Sequence, residues 1–196
     1  MLLMSTTPRI LVFSCSTRRG SFNHMLAKLA AESARSAGAE VEVWSVREHP
    51  LPLYDADLEE QQGLPAGVKR LKELMRSHHG FLFASPEHNS TISAPLKNAL
   101  DWASRAEGEE RPLVCFAGKV AGLMAASPGA LGGLRGLVAL RAMLGNVKVI
   151  VLPEQVTLSR ANEAFAEDGS FKEAAQQKSV HALATALVRT CTRLND

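Results

Sequence analysis

The sequence predicts an α/β protein, an open parallel sheet of five strands covered by helices on both faces. Three observations carry this. Short continuous apolar runs, Ile10-Leu11-Val12-Phe13 and Phe81-Leu82-Phe83-Ala84, mark strands buried on both sides. Stretches with apolar residues at helical spacing alternate with such runs, the pattern of βαβ units. Three of the strands end in loops rich in hydroxyls, amides or glycine, where open α/β sheets hold their ligands.

Residues 1–8 read as a frayed tail, and one domain is expected over 9–196. After the first strand, a helix is expected from Asn23 to Ala37, with Met25, Leu26, Leu29, Ala30, Ala34 and Ala37 on one face. Gly38 stands where a helix stop belongs. Val41, Val43, Trp44 and Val46 make a second strand. Pro50 and Pro52 then force the chain out of the sheet, and 55–65 reads as a loop. Val68, Leu71, Leu74 and Met75 give the second helix, closed by Gly80. The third strand is Phe81–Ala84. A third helix starts near Pro95, a residue suited to a first turn, and buries Leu96, Ala99, Leu100 and Ala103.

Two segments compete for the fourth strand, Leu113–Phe116 and Val120–Ala126. The later is preferred because Ser127-Pro128-Gly129 follows it directly. Leu131, Leu134, Val138 and Leu144 mark a fourth helix stopped by Gly145, and Val147–Leu152 is the fifth strand. Pro153 to Phe171 shows no clear periodicity. A final helix, Phe171 to Leu194, turns Ala174, Leu183, Leu187 and Cys191 inward.

Composition narrows the classes of function. The chain has 196 residues, 46% hydrophobic and 21% charged, enough for one domain with a proper core. A net charge of +2 with scattered Lys and Arg gives neither a nucleic-acid footprint nor a polybasic membrane patch. The uncharged run Val120–Leu134 is too short to span a membrane. Three distant cysteines, Cys15, Cys115 and Cys191, with no C-x-x-C, argue against zinc or dithiol chemistry and for a reducing compartment. Met1-Leu2-Leu3-Met4 lacks the basic leader and length of a signal peptide. The expectation is a cytoplasmic protein.

The loop after strand 1 offers Ser14, Ser16, Thr17, Ser21, Asn23, Arg18 and Arg19 at the start of a helix. Unpaired helix N–H groups, hydroxyls and a guanidinium suit a phosphate monoester; an ordinary cap by Ser21 or Asn23 is the plainer alternative. Neither G-x-x-x-x-G-K-S/T nor G-x-G-x-x-G is present, which excludes the triphosphate and dinucleotide loops those motifs define. The loop after strand 3 runs from Ser85 to Thr91. Pro86, His88 and Asn89 could bound a flat heterocycle, while Glu87 could be a solvated carboxylate, a salt bridge across a subunit interface, or a catalytic acid. The loop after strand 4, Ser127 to Gly133, carries clustered glycines that would let backbone approach a ligand. In a sheet of order 2-1-3-4-5 these three loops meet in one crevice.

Ser16 to Asn23 resembles the phosphate loop G-S-x-R-x-x-S-x-N. Pro86-Glu87-His88-Asn89-Ser90-Thr91, followed by Leu96-Lys97-Asn98-Ala99-Leu100-Asp101-Trp102, resembles the block P-E-Y-N-x-S and L-K-N-A-I/L-D-W. Ser127-Pro128-Gly129 with Gly132-Gly133 resembles a third, glycine loop. Together, from Ile10 to the last helix, these are similar to the NADPH-dependent FMN reductases, which include quinone, azo-dye and chromate reductases.

That resemblance implies a flavodoxin-like three-layer sandwich with one non-covalent FMN, and NADPH or NADH as co-substrate. It implies FMN phosphate on Ser16, Arg18, Ser21 and Asn23, with Phe22 in the same turn. It implies the flavin ring against Pro86, Glu87, His88, Asn89, Ser90 and Thr91, with Ser127 and Gly129 at its other edge. Hydride would pass from the nicotinamide to FMN and on to a small-molecule acceptor: a quinone, a flavin, an azo compound or a metal oxyanion. No side chain is expected to act as a catalytic nucleophile, and no metal is expected. A homodimer or homotetramer with the flavin near a subunit boundary is also implied. Three positions depart from the pattern: Cys15 for Gly, His88 for Tyr, and Thr91 for Ser. The alternatives are a flavodoxin-like electron carrier and a non-catalytic module that binds a phosphate ligand.

Overall fold

The computed structural model describes residues 7–195. Five strands form one all-parallel sheet in the order β2-β1-β3-β4-β5. They are β1 (Arg9–Ser14), β2 (Glu40–Ser45), β3 (Gly80–Ala84), β4 (Val120–Ala126) and β5 (Ile150–Leu158). In β1 the side chains alternate between two cores. Ile10 and Val12 pack with α1 (Phe22–Ser36) and α7 (Ala174–Asn195). Leu11 and Phe13 pack with α3 (Ala66–Ser77), α4 (Ala94–Ala103) and α5 (Leu134–Asn146). The central strands β3 and β4 are buried along their whole length, which is why they read as unbroken apolar runs. Strand β2 lies on an edge and keeps Val43 exposed. Of the expected tail, residues 1–6 lie outside the described residues; Pro8 is buried, and its carbonyl accepts from the Glu40 N–H at 3.0 Å.

Five expectations are corrected. The segment 55–65 is not all loop but contains α2 (Ala56–Gln62), capped by the Asp55 carboxylate, which accepts from the N–H groups of Asp57 and Leu58. No residue of α2 is fully buried, so it leaves no apolar stripe in the sequence. Gly80 does not close α3, which ends at Ser77; it opens β3, where a Cβ would stand 2.6 Å from Cys191 Sγ.

The fifth strand begins at Ile150 and continues through Pro153 to Leu158, with a register shift opposite Ala121–Leu123. Pro153 is accommodated because β5 is an edge strand. The rest of the supposedly irregular segment holds α6 (Ala161–Ala164) and a bridge pairing Phe165 with Phe171.

On α5 the buried face is Leu137, Leu140 and Leu144. Leu131, Leu134 and Val138 are 50%, 37% and 60% exposed instead of inward. The helix is apolar on several sides, so spacing alone selects the wrong stripe. Finally, α7 starts at Ala174 and leaves it exposed.

Candidate active site

The C-terminal ends of β1, β3 and β4 bring the three loops together. Strand β1 continues its ladder past Ser14: the Cys15 N–H donates to Ala84 O at 3.1 Å. Cys15 has no positive φ and its thiol is fully buried, so no glycine is required where the family pattern has one. Burial pushes that thiol far above its ordinary range, which makes it inert packing. Ser14 is also buried and spends its hydroxyl on His24 Nδ1 at 3.1 Å, which withdraws it from the loop. Burial and Lys28 hold the His24 imidazole below its usual pKa, against an opposing pull from Glu48.

Beyond Cys15 the chain turns away through Ser16, whose Oγ accepts from the Arg18 N–H at 3.3 Å. The backbone N–H groups of Arg19, Gly20, Ser21 and Phe22 make no hydrogen bond to the described residues. Four successive free donors at a helix start form an anion cradle. Gly20 supports it with φ +63°. Ser21 caps α1, accepting from the Asn23 N–H at 3.2 Å. Asn23 does not extend its amide freely into the cradle. Its Nδ2 donates to Ala126 O at 2.8 Å, and its Oδ1 accepts from Ala126 N at 2.9 Å. The side chain clamps the first loop to the end of β4.

In the second loop, Pro86 is buried, and the chain reverses over Asn89 and Ser90, both left-handed with φ 50° and 67°. The His88 N–H donates to Thr91 O and the Thr91 N–H to His88 O, at 2.9 and 3.1 Å. Two consecutive positive φ values suit Asn better than Ser; such local strain accumulates at functional sites. Glu87 is neither a free acid nor left for a second subunit. Its carboxylate accepts from Arg135 Nε at 2.9 Å and from the Gly136 N–H at 3.1 Å. Burial pushes the Glu87 pKa up, but the Gly136 N–H and the Arg135 guanidinium outweigh it and the net shift is downward. Ser93, which sequence reasoning missed, donates to Cys15 O at 2.8 Å and ties the second loop to the first. Nothing in the sequence distinguishes Ser93 from an ordinary cap.

The glycines of the third loop approach protein rather than open space. A Cβ on Gly132 would lie 2.8 Å from Ser159 N, and one on Gly133 would lie 2.6 Å from the Ala125 Cβ. Both have positive φ. Gly129 has room for a side chain, and its N–H donates to Ser127 Oγ at 3.2 Å. The Ser127 backbone is held at both ends, its N–H by Leu158 O and its carbonyl by the Ala161 N–H.

The result is a cleft of about 190 Å³ that all three loops line. Ser16, Arg18, Ser21, Phe22 and Asn23 come from the first loop and helix start, Pro86, Glu87 and His88 from the second, and Ser127 from the third. Asn89 and Thr91 face a neighbouring open recess of about 610 Å³, which His88 shares and Lys97 borders. Ser90 and Gly129 border neither. Phe22 stacks on Phe165, which stacks on Phe171, with ring centroids 6.0 and 5.2 Å apart, so the long 159–171 connection buttresses the cleft. The donor set fits a phosphorylated flat ligand: a cradle of N–H groups, two hydroxyls, and Arg18 without a carboxylate partner among the described residues. Among the described residues no group of His, Cys, Asp or Glu is arranged to hold a metal ion, and no helix is long and apolar enough to cross a membrane.

A parallel sheet of order 2-1-3-4-5, with a loop rich in hydrogen-bond donors after its first strand, is the flavodoxin-like architecture. Comparison with known proteins takes this further. A model of the NADPH-dependent FMN reductases matches residues 8–163. A quinone reductase of Escherichia coli is 34% identical over 149 residues, 76% of either chain. An NAD(P)H-dependent FMN reductase of Pseudomonas aeruginosa is 36% identical over 167 residues, 85% of either chain. The solved structure of a flavoenzyme NAD(P)H:(acceptor) oxidoreductase from Paracoccus denitrificans superposes with a TM-score of 0.80 at 28% identity, covering 95% of this chain and 98% of that one. The chain belongs to the NADPH-dependent FMN reductase family. It is an FMN-dependent oxidoreductase that uses NAD(P)H.

Proposed function

We propose that the three-loop cleft seats FMN with its phosphate in the cradle, and that the protein reduces quinones or related flat acceptors. The observation that carries this is that Ser16, Arg18, Ser21 and Phe22 line one cleft, in a loop whose N–H groups at 19–22 have no partner among the described residues. When bound, FMN supplies the hydride chemistry between NAD(P)H and acceptor.

The residues bind and orient. The N–H groups of 19–22 and Arg18 hold the phosphate, with Ser16 and Ser21 beside it. Pro86 and His88 give the ring a rigid wall, and Ser127 bounds the opposite edge. Asn23 acts one step back, holding the cradle against β4. The open recess beyond His88 admits the acceptor. Exposed Leu131, Leu134 and Val138 lie on the loop and helix that follow the cleft's third side, and they support a homodimer or homotetramer. Three free, buried cysteines suit a reducing cytoplasm.

The test is to purify the protein, record its flavin spectrum, and follow NADPH and NADH consumption against quinone, flavin, azo and metal-oxyanion acceptors. Retained FMN with acceptor-dependent NAD(P)H loss is expected. Flavin reduction only through a partner protein would instead make it an electron carrier, and a colourless protein that takes up no flavin would overturn the reading.

A further inference from the structure

A second recess lies on the other side of the phosphate loop. Ser16 and Arg18 face the flavin cleft, whereas Thr17 between them faces a separate pocket of about 190 Å³. That pocket is mostly apolar: Pro50, Leu51 and Leu53 form one wall, Pro95 another, and the His49 ring borders it. Its volume, like that of the three-loop cleft, lies below the roughly 300–1,000 Å³ that hold a whole drug-sized ligand, so each takes one piece of a larger molecule. Leu53 is 79% exposed at its rim, an apolar side chain that an occupant would cover.

One charged group is bonded to the pocket's lining. Arg47, just past β2, donates from Nη1 to Thr17 O at 2.6 Å. That bond holds the guanidinium against the backbone of Thr17, a lining residue of the pocket, although Arg47 itself does not line it. Its remaining donors meet no carboxylate among the described residues. Arg19, exposed in the same loop, is also without a carboxylate partner there. Arg18 is taken by the flavin side. The pocket neighbours the flavin side through shared lining residues. Ala94 borders both it and the 610 Å³ recess, and His88 borders both that recess and the cleft. A long, bent dinucleotide with one end over the flavin would run along these neighbouring recesses.

We infer that this pocket receives the adenine end of the nicotinamide nucleotide, and that Arg47, with Arg19 of the loop it is bonded to, reads the 2′-phosphate that separates NADPH from NADH. A guanidinium held at one corner and open at the others is suited to a phosphate monoester. The inference rests on the reductase reading above and goes beyond it by giving the nucleotide preference to named residues.

The experiment uses the purified FMN-loaded protein and two probes without a nicotinamide, 2′,5′-ADP and 5′-ADP, titrated by calorimetry. FMN content is measured on every sample, so loss of the flavin reading is seen separately. The parent should bind 2′,5′-ADP about tenfold to a hundredfold more tightly than 5′-ADP, the range of a charge-assisted hydrogen bond. Arg47→Ala should bring the two affinities together, and Arg47→Lys should restore part of the gap, with FMN content unchanged. Leu53→Ser should weaken both probes alike. In kinetics, Arg47→Ala should raise KM for NADPH and leave KM for NADH and both kcat values in place. Equal binding of the two probes by the parent, or a gap that survives Arg47→Ala, would overturn the inference. So would a Leu53→Ser variant that changes only the oligomeric state, since the rim would then be a subunit contact.

Discussion

Asn23→Ala should destabilise the protein even with no flavin present. The Asn23 amide makes two hydrogen bonds to Ala126, at 2.8 and 2.9 Å, between residues only 3% and 4% exposed. Each such bond contributes about 1 kcal/mol net, and each buried backbone group left unpaired costs about 1–3 kcal/mol. Replacing Asn by Ala inside a helix returns roughly half a kcal/mol. The expected loss is about 2–3 kcal/mol, readable as a lower urea midpoint of FMN-free protein with an unchanged slope. Asn23→Asp sharpens the test. A carboxylate in the first turn of a helix is ordinarily favourable, but here its second oxygen would face Ala126 O with no proton between them. The Asp variant should therefore be no more stable than the Ala variant. If flavin-free Asn23→Ala unfolds within about 0.5 kcal/mol of the parent, as a surface change would, the clamp is not structural. If it also loses FMN affinity, Asn23 belongs to the phosphate site directly.

Three further outcomes follow from the same geometry. Arg18→Ala should raise the FMN dissociation constant by about tenfold or more while leaving the melting temperature of FMN-free protein unchanged; equal flavin content in variant and parent would contradict its role. Gly133→Ala should cost more than about 2 kcal/mol, because it combines φ +90° with a Cβ 2.6 Å from that of Ala125, and a near-parental denaturation midpoint would refute the close approach. The Glu87 carboxyl is held below its ordinary value of 4.5 by Gly136 and Arg135 against burial. Its contribution is therefore present above that pH and lost as pH falls through the lowered value. Glu87→Gln should flatten the acid limb of stability against pH, and an unchanged limb would remove Glu87 from it.

The sheet was legible because burial on both faces leaves unbroken apolar runs at β1, β3 and β4. The prolines at 50 and 52 and the Ser127-Pro128-Gly129 exit marked chain reversals whose chemistry is local. What failed needed distance. Leu134 and Val138 carry the same four-residue apolar spacing as Leu140 and Leu144, and only packing against β4 and β5 chooses between the two stripes. α2 was invisible because it buries no residue fully and rests on one Asp55 cap. In the site, the residue types of the cradle could be named from Ser16 to Asn23. Their division of labour could not, because the partner of Asn23 is 103 positions away and that of Glu87 is 48 away. The close packing of Gly132 and Gly133 was hidden for the same reason: their neighbours are Leu158, Ser159 and Ala125.

Those long-range partners explain how the cleft is made ready. Asn23 joins the first loop to β4, Ser93 joins the second loop to the first, and Glu87 joins the second loop to α5. Asn23 and Ser93 spend their polar atoms on backbone groups of another loop or element, and Glu87 divides its carboxylate between the Gly136 N–H and the Arg135 side chain. The donors left over are the N–H groups of 19–22 and the Arg18 guanidinium, and Arg18, Ser21 and Phe22 line the cleft. A ligand that meets them has little loop ordering to impose, so more of each contact appears as affinity. The three family-pattern departures fall where this division allows them. Cys15 fills core behind the cradle and Thr91 keeps its backbone pairing with His88. Only His88 changes a surface shared by the flavin cleft and the open recess. Exchange of His88 for Tyr should accordingly move acceptor preference, read as the ratio of kcat/KM values across the acceptor panel, while FMN retention stays at the parental level. A change in FMN retention equal to that in Arg18→Ala would instead make His88 part of the flavin seat alone.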